Sequence, residues 1–138
     1  MTFHTSELTP GGAYTIWWVV FNHPEFCSAP GCGAKDLGNA SVQASRAHAA
    51  GHVIGDSGDG NFGAWLGVND PEGFLDGPWG LTNPRGAEIH LVARFHGQAL
   101  TGQLLIAQLG TFNGGCNPGD PYPASTCANK QFSQHFPK

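Results

Sequence analysis

The stretch AYTIWWVVF, residues 13–21, constrains the fold more than any other part of the chain. If it is extended, Tyr14, Ile16, Trp18 and Val20 point to one face, and Trp17, Val19 and Phe21 to the other. A strand of an open antiparallel sheet is normally polar on its outer side. Here both sides are apolar, so both need a cover, either a loop of the same chain or a second subunit. The stretch is of strand length. It falls short of the roughly 20 apolar residues that span a bilayer, and no longer apolar run exists.

The rest of the chain has the same character. Its 138 residues include 21 Gly and 10 Pro, and only 12% are charged. Long windows of helix formers are absent, which points to short strands and many turns. The formal net charge is −4 and no basic run occurs. The electrostatic footprint of a nucleic-acid binder is therefore missing. These features predict an antiparallel β-sandwich or flattened barrel of about six to eight strands, as one domain over 1–138.

Strand patterns are read at TFHTSEL (2–8) and AYTIWWVVFNH (13–23), which the Pro-Gly connector between them would join as a hairpin. Residues 41–55 read as a helical turn or two followed by a strand. Further strands are read at 62–68, 87–96 and 128–136. Residues 69–86 are a long connection. Residues 102–112 fit a strand or a short helix, and periodicity does not decide.

Four cysteines form two local pairs, Cys27 with Cys32 and Cys116 with Cys127. Disulfides closing two surface loops fit this spacing. The loop-entropy model gives about 2 kcal/mol for the smaller and about 3 kcal/mol for the larger. A four-cysteine zinc site normally needs tight C-x₂₋₄-C pairs, which the second gap does not provide. Disulfides imply an oxidising, extracytoplasmic location, secreted or periplasmic. The opening on a strand-like segment reads as a mature chain whose leader has been removed.

Residues 85–97, RGAEIHLVARFHG, carry the chemistry. On a strand, Ala87, Ile89, Leu91, Ala93 and Phe95 share one face, and Glu88, His90, Val92, Arg94 and His96 the other. Glu88 and His90 lie about 7 Å apart along such a strand, close enough for one ion to bridge. His52 or His135, from a neighbouring strand, would complete a two-histidine, one-carboxylate set suited to copper, zinc or non-haem iron. The same Glu88–His90 pair without metal would suit acid/base work. The plain alternative is a solvated sheet face on which Glu88 pairs with Arg85 or Arg94. GDSGDG (55–60) echoes the nucleophile loop of trypsin-like proteases, but the chain is too short for that architecture, and a hairpin turn accounts for it. Trp65, flanked by Gly63 and Gly67, and Trp79, in a loop, are the best candidates for stacking on a polysaccharide.

The segments PGGAYTIWWVVFNHPEFC (10–27), GAEIHLVARFHG (86–97), TFNGGC (111–116) and QFSQHF (131–136) resemble a group of bacterial extracytoplasmic proteins of uncharacterised function. The resemblance implies export and a compact β-rich domain, and it implies no activity. The sequence thus predicts a binding or assembly module, with self-association motivated by the two-sided apolar strand. Its functional surface would be formed by Glu88, His90, Arg94, His96, His52 and Trp65. A small metal-dependent oxidoreductase or hydrolase and a carbohydrate-binding module are the alternatives.

Overall fold

The computed structural model describes residues 1–70 and 74–137. The connection expected over 69–86 runs through 71–73, which lie outside the described residues. The elements are β1 (Thr2–Thr5), β2 (Gly12–Phe21), β3 (Ala44–Val53), β4 (Gly60–Gly63), β5 (Phe74–Asp76), β6 (Glu88–Gln98), α1 (Gly102–Gly110) and β7 (Ala128–His135). They form an all-β fold of two antiparallel sheets, one of two strands (β1-β4) and one of five in the order β5-β3-β2-β6-β7. Both cysteine pairs are disulfides, Cys27–Cys32 and Cys116–Cys127. No helix among the described residues is long and apolar enough to cross a membrane.

Strand β2 is central, with β3 on one edge and β6 on the other. This corrects the expected hairpin between the first two strands. Both edges of β2 are occupied, so β1 pairs instead with β4, Phe3 opposite Phe62. Residues 44–53 are strand throughout, without the helical turns expected in their first part. Of the strand expected over 62–68, only its first residues belong to β4; the remainder is irregular apart from a bridge between Val68 and Leu81.

The two faces of β2 explain the layering. Tyr14, Ile16, Trp18 and Val20 enter the main core with Leu91 and Ala93 of β6, Phe62 of β4, and Leu8, Ile54 and Leu81 from loops. The opposite face is also covered, and by the same chain. Phe21 packs with Cys32, Val42 and Ala44, with Val19, Cys27 and Leu37 around them. Trp17 meets His48 and Phe112 edge-on, with ring centroids 5.3 and 5.2 Å away.

Residues 102–110 are helical, which resolves the ambiguity left by their periodicity. Gln108 is fully buried and anchors the helix. Its Nε2 donates to the carbonyls of His96 and Gln98 (2.8 and 3.1 Å), and its Oε1 accepts from the Leu100 N–H (2.8 Å). On the sheet side, a Cβ at Gly51 would stand 2.0 Å from the Leu109 carbonyl oxygen. The helix can lie this close to β3 only because that position is glycine.

Candidate functional site

Strand β6 alternates as its sequence predicts. Ile89, Leu91, Ala93 and Phe95 face or border the main core, as does Ala87 just before the strand. Glu88, His90, Arg94 and His96 point to the other side. That side is not a solvated face: all four are buried. The 27–37 loop, α1 and the 111–127 segment enclose it. Each of these four side chains therefore needs a hydrogen-bond partner, and each has at least one.

Glu88 pairs with His90, and neither Arg85 nor Arg94 reaches it. His90 Nε2 donates to Glu88 Oε1 at 2.6 Å. The same oxygen accepts from the Cys32 backbone N–H at 3.0 Å and from Gln134 Nε2 at 3.4 Å. The carboxylate thus fastens the first disulfide loop to the sheet. The imidazole is held between Phe21 and Phe132, with centroids at 5.0 and 5.5 Å. Its Nδ1 makes no hydrogen bond among the described residues.

Arg94 reaches the other end of the same face. Nε donates to the Phe112 carbonyl at 2.7 Å, Nη1 to Asn129 Oδ1 at 2.9 Å and Nη2 to Asn113 Oδ1 at 3.0 Å. Its guanidinium carbon lies 4.0 Å from the Phe112 ring centroid, and that of Arg46 lies 5.3 Å away. Arg46 is paired with Asp76 of β5 through a two-armed contact. Arg94 has no carboxylate within ion-pair distance among the described residues. Burial, and after it the nearby charge of Arg46, hold its pKa below the usual value.

His96 belongs to a hydrogen-bond chain with a fixed direction. The Trp17 indole can only donate, and it donates to Thr15 Oγ1 at 2.7 Å. The Thr15 hydroxyl then donates to His96 Nε2 at 2.7 Å. His96 Nδ1–H donates to the Gly114 carbonyl, which can only accept, at 3.0 Å. The chain fits neutral His96 with its proton on Nδ1. Burial is the main cause that lowers its pKa to about 4, with the charge of Arg94 and proximity to His48 adding to it, against the Gly114 carbonyl.

The four expected metal ligands are not assembled. His52 lies opposite Tyr14 in the β2–β3 register and packs on Phe62, so it belongs to the main-core side. His135 lies opposite Ile89 and lines an open cavity with Arg85, Ala87 and Phe136. Glu88 and His90 face the other way. The two-residue period explains the error, since a neighbouring strand supplies a ligand only if its register puts the histidine on the matching face. No group of three or more His, Cys, Asp or Glu placed to hold a metal ion occurs among the described residues. Trp65 and Trp79 are 82% and 41% exposed, and neither borders the Glu88–Arg94 face.

Between the segment that follows the first disulfide and Phe112 and Asn129, which flank the second, this face opens into a cleft of about 230 Å³. Trp17, Val19, Phe21, Leu37, Val92 and Phe112 form its apolar walls, and His90, Arg46 and Asn129 bring polar groups to it. Gly33, Ala34 and Leu37, which follow the first disulfide, form one wall. The sequence reading found His90, and it found Arg94 beneath Phe112. It missed Arg46, which the β2–β3 register places opposite Val19. It also missed Phe112 and Asn129. The first follows a helix, and the second is set by a bulge, and neither feature leaves a periodic signal.

The site therefore defines a class: a disulfide-bonded all-β protein whose buried polar strand face opens into a small, mostly apolar cleft rimmed by a few polar groups. Comparison with protein-family models, with curated proteins and with solved structures finds no match. Its residues alone carry the functional reading.

Proposed function

We propose that this protein is an exported binding module that takes a small ligand into the cleft bordered by Leu37, Phe112 and Asn129. One observation carries the reading. The cleft is concave and mostly apolar, and it has a few convergent polar groups, the usual make-up of a small-molecule site. Its 230 Å³ lies below the roughly 300–1,000 Å³ of drug-sized sites, so it suits a fragment-sized ligand. Two disulfides and the resemblance to bacterial extracytoplasmic proteins support export. The test is a fragment screen by ligand-observed NMR on the oxidised protein, repeated with Leu37→Trp, which fills the cleft. Hits that vanish in the filled variant support the reading. Hits that persist there place binding elsewhere and overturn it.

A second reading is favoured by one geometric fact, the 2.6 Å contact between Glu88 and His90 at the cleft. A carboxylate that orients an imidazole is the arrangement for proton transfer. No hydroxyl or thiol lines the cleft, so such chemistry would be proton abstraction and return on the ligand. The measurement is solvent deuterium exchange into a bound fragment, in the native protein and in His90→Gln. Exchange that is equal in both would remove this reading.

A further inference from the structure

Resting on the proposed cleft site, we infer that its ligand is a small carboxylate with a planar or short apolar body, and that the carboxylate sits at the Phe112–Asn129 end. Two guanidiniums flank Phe112, and among the described residues only one of them has a carboxylate partner. Arg94 is 9% exposed, and three neutral oxygens receive its hydrogen bonds. A buried cation without a counter-charge is costly, and an anion brought to this end of the cleft offsets that cost.

The uncommitted polar atoms point the same way. Arg46 holds Asp76 through Nε and Nη2, which leaves the Nη1 donors free among the described residues. Asn129 gives its Oδ1 to Arg94, so its Nδ2 donors are likewise free. Both residues border the cleft. Donors on two sides and aromatic rings between them match carboxylate oxygens on a flat apolar body. Glu88, a buried carboxylate of this face, is committed to His90, Cys32 and Gln134 at the opposite end. It neutralises nothing near Phe112.

The decisive experiment is calorimetric titration of the oxidised full chain with benzoate, benzamide and benzylammonium, three probes of similar size and different charge. Benzoate is expected to bind at least tenfold more tightly than the other two, and to weaken with added salt. Asn129→Asp places a carboxylate on Arg94 and removes the Nδ2 donors, and is expected to cost benzoate at least tenfold and neutral benzamide far less. Arg46→Gln gives a second, independent loss. Thermal midpoints of both variants check that the fold is kept. Equal affinity for benzoate and benzamide, with both lost in Leu37→Trp, would overturn the carboxylate assignment and leave the cleft reading standing. Absence of binding by all three probes at tens of millimolar would overturn both. Unchanged benzoate affinity in Asn129→Asp and Arg46→Gln would place the anion elsewhere and overturn the inference.

Discussion

His96 ties three parts of the fold through one proton arrangement, and this makes stability depend on pH. A protonated imidazole would donate from both nitrogens. Thr15 Oγ1 would then face two donors, His96 and Trp17, and its own hydrogen would lose its acceptor. The folded pKa, about 4, lies below the ordinary 6.5, so the native state binds fewer protons than the unfolded state in between. Stability is complete above about pH 6.5, falls as pH drops through that window, and levels off below about 4, a total on the order of 3 kcal/mol. His48, also held low by burial, adds in the same direction. Urea unfolding across this range should show the slope, and His96→Asn should flatten it while lowering stability at neutral pH. A second effect belongs to Glu88. Glu88→Ala leaves the Cys32 and His90 N–H groups without their acceptor, and each loss costs about 1–3 kcal/mol. Glu88→Gln keeps an acceptor oxygen and should unfold at a denaturant concentration between those of the native protein and the alanine variant. The sequence placed Glu88, His90, Arg94 and His96 on one side because side-chain alternation is a backbone property. It did not reveal that they are buried, because burial depends on what the loops cover.

Among the elements, α1 and β3 meet closely, and their contact depends on a missing side chain. Gly51→Ala would drive a methyl group into the Leu109 carbonyl. The helix must then lift from β3, at about 1–3 kcal/mol, and the His48 Nε2–H to Leu109 carbonyl bond (2.8 Å) is strained or lost with it. Reduced amide-exchange protection over 102–110, with β2 and β6 unaffected, is the expected signature. This close approach also explains why the helix was hard to read from sequence. Its apolar residues do not follow a clean stripe: Ile106 is 63% exposed while Gln108 is fully buried. A polar anchor inside and an apolar residue outside blur the 3.6-residue period on which such a reading relies. Strand β2 was legible from its run of β-branched and aromatic residues, and β6 from its alternation. The partner of β1 was not, because pairing across the chain leaves no local mark.

At the level of the whole molecule, the two disulfide loops cover a sheet face that the sequence left open to a loop or a second subunit. The cover over Trp17, Val19 and Phe21 is intramolecular. The Cys27–Cys32 bridge lies directly before the segment that forms one wall of the cleft, and Glu88 holds that junction through the Cys32 N–H. Replacing both cysteines with serine should cost about 2 kcal/mol and should also weaken fragment binding, because the wall loses its anchor. Denaturation and the fragment screen, run on the same variant, measure the two effects together. One irregularity in β7 bears on how this architecture tolerates change. The ladder to β6 steps from Ala93 opposite Gln131 to Arg94 opposite Asn129, so Lys130 is surplus to the pairing. Deleting a residue from an evenly paired strand turns every side chain beyond it inside out. Removing Lys130 instead heals the ladder and leaves Asn129 beside Arg94 and Phe132 beside Val92. A chain one residue shorter at this place would therefore keep Asn129 and Phe132 in their positions on the same face.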